Sequence, residues 1–502
     1  MMGSKISESR DTARGRGRGP RSRSKKEKLV TRVLGRTGRA VTTFGLGGQA
    51  SIQWPRPGVD GEKIILKAIG KGITYFDTSN IYGPSQLTYG KAFRRLHLIP
   101  GGSGHDRKLR KSIFLATKTH MRRAVAVDGN LGPNPASNGE RVRTAVDDVR
   151  RSLSQMFGDG RGNYPRGAYL DSVQIHNLNT IEEVDAIFEG LGNPDPSADH
   201  IGALAGLLDL RAGTNRTGVN PGEEKLIRHI GITGHWNSPA LMEAIQRDEM
   251  GIIDTLLVAI NTNDRHYLNH QHNVIPVAEA KGLGIIGMKV FADAKYYGRE
   301  SASFSNEPDD VYMGVGSREF PSASLVQYSL SIAGVDTVIA GIGNIDVSDD
   351  PTTDQLVSNI AAAQIREPLS PERMKALEQE TSEIIGSSTN YFQRPAVGLT
   401  PPRGLRADLD SSHIQHISGL PAVYLAWDTG YAGPAAVSYY EVFRGEKKLG
   451  EVPHKPQTTR QPFTFRDAGA ANGSNLYRVR AVDTEGGKSE WAEASVECHS
   501  LA

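Results

Sequence analysis

The chain has 502 residues, 38% hydrophobic and 23% charged, a globular composition too long for one ordinary domain. Its one cysteine, Cys498, excludes an intrachain disulfide and suits a reducing compartment. No apolar run approaches the roughly 20 residues that span a bilayer, and no charged start followed by an apolar stretch marks a secretory signal, so the expectation is a cytoplasmic protein without a membrane span.

The net charge of +3 is unevenly spread. Residues 1–40 hold thirteen Lys and Arg against Glu8, Asp11 and Glu27, a surplus of ten that leaves −7 on the remainder. From Arg14 to Lys26 the chain alternates cations with Gly, Pro and Ser. Such a segment cannot bury a core, so residues 1–32 read as a disordered basic extension. It has no aromatic residue to stack on a base, and no specific nucleic-acid partner is expected. His266, His270 and His272 lie close together without a Cys or carboxylate pattern, so they read as loop residues and no metal site is expected.

From Leu34 the texture changes. Leu34 to Val41 has two β-capable arms around Thr37-Gly38, the chemistry of a hairpin. A first strand, Val41 to Gly48, ends in glycines, where a ligand can approach the backbone. A helix over Glu62–Gly70 leads to the apolar run Ile73–Phe76, which stops at Asp77 with Tyr82 one loop beyond. After a helix over Gln86–Arg95, the run from Ser112 ends at Lys118. A long amphipathic helix, Gly139–Met156, precedes the run Tyr169–His176. A helix over Ile181–Leu191 follows. Residues 192–222, rich in Gly, Pro and Asn, read as an insertion with a short helix near Ile201–Leu210. Four further strands are expected at His229–Thr233, Thr255–Asn261, Gly284–Val290 and Asp336–Ile342, each with a helix after it, and Pro371–Ile385 closes the block.

Eight strand–helix units, each strand a short apolar run, imply an α/β protein built as a (β/α)8 TIM barrel over residues 33–386. A doubly wound open sheet is disfavoured, because no G-x-G-x-x-G opens a first helix. Residues 387–402 read as a linker. Residues 403–502 switch to period-two alternation around Trp427, with turn signals at Gly445, Asn472-Gly473 and Gly486, which implies a small all-β sandwich. That block resembles a fibronectin type III domain, with Trp427 at its inner-strand tryptophan and Tyr477 near the start of its penultimate strand. A partner, a carbohydrate or the barrel itself is the expected ligand of the sandwich, and deletion of residues 395–502 is expected to leave the barrel folded and active.

In a parallel barrel the strand C-termini share one face. Alone, Asp77 and Tyr82 read equally as a helix cap with a rim aromatic and as a catalytic pair. With Lys118 and His176 ending the next two strands, the four residues make a site. Lys118 beside Tyr82 is expected to lower the phenol's pKa, Asp77 to keep Lys118 charged, and His176 to orient a substrate oxygen. No nucleophile is paired with a base. Protonation of an oxygen as charge builds on it fits hydride delivery to a carbonyl, and the hydride must come from a cofactor.

Residues 33–385 resemble the aldo-keto reductases. Phe76-Asp-Thr-Ser-Asn-Ile-Tyr-Gly83 is similar to their Asp-to-Tyr motif, Ala116-Thr-Lys118 to the lysine strand and Gln174-Ile-His176 to the histidine strand. The resemblance implies an NAD(P)H-dependent oxidoreductase that interconverts a small-molecule carbonyl (aldehyde, ketone or sugar) and an alcohol, with Tyr82 as general acid. It also implies a nicotinamide cofactor across the barrel mouth, near Gly47, Gly48 and Asp77. Where the family has Ser-Asn for the carboxamide this chain has Thr233-Gly234, and the sixth strand ends at Asn261. Met288 stands where an aromatic usually stacks on the nicotinamide, and Lys289 would reach the pyrophosphate. Gly341, Gly343, Asn344 and Asn359 fall in the last cofactor loop and helix. NADP is the family default. Asp346, Asp349 and Asp350 nearby leave NAD open, since acids do not favour a 2′-phosphate. The competing expectation is a cofactor-binding regulatory or scaffold protein with the sandwich as docking module.

Overall fold

A computed structural model describes residues 28–126, 144–298, 307–385, 398–409 and 422–499. Most of the basic extension, the start of the helix expected from Gly139 and most of the expected linker lie outside them.

Thr31–Val33 (β1) and Ala40–Thr42 (β2) pair antiparallel around a tight turn at Gly35–Thr37. This hairpin is the floor of the barrel. Leu34 is fully buried with Val41, Tyr75, Phe114, Leu257 and Ile286. Gly35 has φ +42°, and a Cβ there would overlap the Gly284 amide, so only glycine lets the turn seat.

The next strands are Phe44–Ala50 (β3), Tyr75–Asp77 (β4), Phe114–Thr119 (β5), Arg123–Ala126 (β6), Leu170–Ile175 (β7), His200–Gly202 (β8), Ile227–Gly234 (β9), Ile253–Ala259 (β10), Gly284–Met288 (β11) and Val335–Ile342 (β12). β6 and β8 form a separate antiparallel ribbon. The other eight close into a barrel in the order β3-β4-β5-β7-β9-β10-β11-β12, with β12 paired back to β3. Every residue of β5, β7 and β10 is buried, because side chains fill the barrel on one face and helices cover the other.

The helices are Gly61–Lys71 (α1), Ser85–Arg95 (α2), Arg107–Ser112 (α3), Ala145–Phe157 (α4), Ile181–Phe188 (α5), Ala203–Ala212 (α6), Ser238–Arg247 (α7), Val274–Ala280 (α8), Ser322–Ser331 (α9), Gln355–Ala362 (α10) and Pro371–Ile385 (α11). Their starts follow side-chain caps: Asp60, Thr144, Thr180 and Asp354 each accept a first-turn amide. The helix expected inside an insertion, α6, is part of the barrel wall. Leu204, Leu207 and Leu210 are fully buried, and α6 packs on α4, α5 and β9. Among the described residues no helix is long and apolar enough to cross a membrane.

The C-terminal block is a sandwich-like domain. Its strands are Arg403–Leu409 (β13), Val423–Asp428 (β14), Val437–Arg444 (β15), Lys447–Pro453 (β16), Phe463–Asp467 (β17), Gly473–Asp483 (β18) and Ala492–Cys498 (β19). They form two antiparallel sheets, β13-β14-β17 and β16-β15-β18-β19. Trp427 is fully buried between them, edge-on to Tyr440 at 5.6 Å. Tyr477 donates to Asp467 Oδ2 at 2.8 Å, which satisfies a buried phenol across the two sheets.

Candidate active site

β4, β5 and β7 are neighbours in register, with Asp77 opposite Ala116 and Lys118 opposite Gln174. Their ends therefore carry Asp77, Lys118 and His176 to one place. Lys118 Nζ donates to Asp77 Oδ1 and, at 3.0 Å, to Thr78 O. Both charged residues are 1% exposed. The ammonium stands 4.9 Å from the centre of the Tyr82 ring, and Tyr82 meets the His176 ring edge-on at 5.9 Å. His176 Nδ1 lies 3.4 Å from Ser79 Oγ.

The electrostatics differ from expectation at Tyr82. Burial raises its phenol well above the ordinary value, and the charges of Asp77 and Asp293 push the same way. The lowering expected from Lys118, whose cation Asp77 partly neutralises, is outweighed, because excluding water penalises the phenolate more than the neutral phenol. The resting residue is a protonated phenol. Burial also raises the Asp77 carboxyl, opposed by Lys118, and lowers the Lys118 ammonium, opposed by Asp77. Burial, then the neighbouring cations and histidines, holds His176 well below its ordinary value, so the ring is neutral.

Two groups near the site had no place in the sequence reading. His120 lies two residues after Lys118, with its ring 4.6 Å from that of His176 and its pKa brought down by burial to about 4. The strand period of two was the signal available for it. The second is on α4. Thr119 Oγ1 donates to Asp148 Oδ2 at 2.7 Å, and Arg151 donates to Asn80 O at 3.3 Å. Burial pushes the Asp148 carboxyl up to about 6, against hydrogen bonds from Thr119 and Asn80. One helix thus ties the Asp77–Tyr82 loop to the strand end that carries Lys118. No local pattern on α4 marks that role.

A cleft opens beside the four residues. Asp77, Tyr82, Gly47, Gly48, Met288, Lys289, Gly341 and Asn359 line it. Trp54, Phe291, Tyr297, Tyr312 and Gln355 line it too and were not anticipated. Lys118 and His176 are not among the lining residues and contact the cleft through Asp77 and Tyr82. Asp77 Oδ2 is buried and has no protein partner, while Oδ1 is taken by Lys118. That orphaned oxygen on the cleft wall fits a hydroxyl-bearing ligand.

The remaining expected cofactor residues serve the fold and lie outside the cleft lining. Thr233 Oγ1 accepts the Asn177 amide at 2.8 Å, fixing the chain just after His176. A Cβ on Gly234 would stand 2.5 Å from Leu241 Cδ1, so this glycine admits α7. Asn261 accepts from Tyr296 Oη at 3.0 Å and donates to Lys289 O at 3.3 Å. A Cβ on Gly343 would overlap the Tyr312 carbonyl. The Asn344 amide donates to Gln355 Oε1 at 3.2 Å, and the residue borders a different surface groove.

The last loop also reads differently in three dimensions. Asp349 pairs with Lys67 at 2.8 Å and Lys71 at 2.6 Å, and Lys67 pairs with Asp354 at 2.6 Å. These acids are neutralised against α1 and do not line the cleft.

Comparison with known proteins adds a family match over just more than half of the chain. The model of the Aldo/keto reductase family matches residues 43–310. Solved structures similar to this chain include a putative aldo-keto reductase from Pseudomonas aeruginosa (20% identity, 67% of this chain and 95% of that one, TM-score 0.40). An aldo/keto reductase from Klebsiella pneumoniae in complex with NADP and acetate is similar at 17% identity over 72% of this chain and 97% of that one, TM-score 0.39. The fibronectin(III)-like modules of Clostridium thermocellum CbhA are similar at 12% identity over 15% of this chain and 74% of that one, TM-score 0.12.

Proposed function

The chain belongs to the aldo/keto reductase family, and from that premise we propose that it interconverts a carbonyl, in an aldehyde, ketone or sugar, and an alcohol, with NADP as cofactor and Tyr82 as proton donor. The observation that carries the reading is the buried group of Asp77, Tyr82, Lys118 and His176, of which Asp77 and Tyr82 line the cleft.

The cofactor, when bound, supplies or takes the hydride. Asp77 Oδ2, Met288, Lys289, Gly341 and Asn359 are the residues that would hold it, and Lys289, paired with Asp293 at 2.7 Å, and Lys295 are the cations of the cleft lining. Lys67 and Lys71 neutralise Asp349, and none of Asp346, Asp349 and Asp350 lines the cleft, so these acids do not count against a 2′-phosphate held there. This supports NADP over NAD.

The chain's own contribution is proton handling. A substrate oxygen between Tyr82 and His176 gains a hydrogen bond from each. With Nδ1 turned to Ser79, the neutral His176 presents Nε2 to that oxygen. As charge builds there, Tyr82 Oη releases its proton to it. The phenolate left behind is stabilised by Lys118, whose charge Asp77 maintains. The raised pKa of the resting phenol keeps the proton in place until that moment.

The test is oxidation of NADPH and NADH against a panel of aldehydes, ketones and sugars, with Tyr82→Phe measured beside wild type. Turnover by wild type and its loss in the variant are expected. Equal inactivity of both, with cofactor still bound, would sink the enzyme reading and leave a cofactor-binding regulatory protein.

A further inference from the structure

The loop after β10 is polar yet buried. Asn261, Asn263, Asp264, Asn269 and His270 are fully shielded from solvent, and Asn273 is 4% exposed. A connecting loop at a barrel mouth normally keeps such residues in water. Thr381 of α11 and Ser238 of α7 bond Asn263 and His270, and the sandwich turn 429–434 bonds Asn269 and Asn273. Asn273 Oδ1 accepts the Ala432 amide at 2.8 Å, and its Nδ2 donates to Ala432 O at 3.1 Å. Asn269 Nδ2 donates to Gly433 O at 2.9 Å, and Arg265 Nε donates to Pro434 O at 2.7 Å. Asn273 stands at the N-cap of α8, but its side chain caps no amide there and is directed to the sandwich.

The same loop reaches the cleft on its other side. Asn261 Nδ2 donates to Lys289 O at 3.3 Å, and its Oδ1 accepts Tyr296 Oη at 3.0 Å. Gln271 Nε2 donates to Asn261 O at 3.2 Å, which links the two ends of the loop. The segment held in this way is strained. Lys289, Ala292, Asp293 and Ala294 have φ of +60°, +48°, +54° and +65°, the left-handed region that side chains with a Cβ disfavour. Lys289, Asp293 and Ala294 also line the cleft. Such conformations persist only where the surroundings over-determine them.

We infer that the sandwich is an intramolecular brace for the ligand cleft: it immobilises the Asn261–Asn273 loop, and that loop holds the strained Lys289–Tyr297 segment in its ligand-binding shape. The inference rests on the reading of the cleft as the cofactor site, and it gives the C-terminal domain a positioning role in place of an external ligand.

The test uses the full chain carrying Asn273→Ala, with Arg460→Ala as control. Arg460 pairs with Glu243 at another part of the same interface and is 54% exposed. NADPH affinity is measured by titration, and hydrogen exchange over residues 289–297 is measured without cofactor. For Asn273→Ala, a Kd raised about tenfold and faster exchange over 289–297 are expected. Arg460→Ala is expected to change neither by more than about twofold. Unchanged affinity and exchange in a soluble Asn273→Ala chain would overturn the brace, as would equal effects from Arg460→Ala. If Asn273→Ala is insoluble, Asn273→Asp, which keeps the acceptor for Ala432, is read by the same criteria. Failure of wild type to bind either nicotinamide cofactor would sink the functional reading instead, and the exchange comparison would still decide the brace.

Discussion

Replacing Lys118 by Met separates the structural from the chemical role of the buried pair. The substitution keeps the volume and removes the cation that Asp77 Oδ1 accepts from. Asp77 is 1% exposed, and burial already raises its pKa, so without Lys118 it takes up a proton on folding. Holding at pH 7 a neutral acid whose free pKa is near 4 costs about 4 kcal/mol, and that sets the ceiling on the loss. The sign follows from linkage. In the variant the folded state binds a proton that the unfolded state releases above pH ~4, so the deficit grows by about 1.4 kcal/mol per pH unit from there towards neutrality. Urea unfolding of wild type and Lys118→Met at pH 5, 6 and 7 should therefore show a gap that widens with pH. Adding Asp77→Asn removes the titrating group and should bring stability back to within about 1–2 kcal/mol of wild type. Reductase activity should stay lost in both variants, because Lys118 is needed to stabilise the Tyr82 phenolate. A stability gap independent of pH, or a double variant that regains turnover, would refute the reasoning.

Tyr82→Phe keeps the ring contacts to Lys118 and His176, so its melting temperature should stay close to that of wild type while turnover falls by about 10²–10⁴-fold in a steady-state assay. Asp148 is raised to about 6, so its unfolded form releases a proton that the folded form keeps between pH ~4 and ~6. Wild type should lose up to about 3 kcal/mol relative to Asp148→Asn as pH rises through that window, read by denaturation at matched pH. Gly48→Ala puts a Cβ 2.6 Å from Asp77 O and 2.9 Å from Thr78 Cα. Both are backbone atoms, so the variant should lose about 1–3 kcal/mol, and more of its turnover than a remote substitution of equal cost.

Much of the site was legible because three of its four members end apolar runs. A strand covered on both faces is apolar throughout, so a polar residue at its end stands out, and Asp77, Lys118 and His176 all stand there. Tyr82 followed from its place one loop beyond Asp77. The cofactor half was less legible. Thr233, Gly234, Asn261 and Gly343 occupy strand ends too, yet their side chains or missing Cβ atoms answer to Asn177, Leu241, Tyr296 and Tyr312. Those partners lie far away along the chain, and local spacing carries no trace of them.

The order of apolar runs and turn residues by itself determined the barrel, the sandwich and the four residues at the barrel mouth, since periodicity and strand ends are local properties of the chain. Three matters were decided only by the tertiary structure. The Tyr82 phenol is raised because burial outweighs a cation already neutralised by its neighbour. Asp349 of the last loop is neutralised because α1 brings Lys67 and Lys71 against it. The sandwich, separable by composition, is locked to the barrel by side chains bonding to main-chain groups 159–169 positions away. In each case the outcome depends on which distant group excludes water or supplies the opposite charge, and only the folded chain brings those groups together.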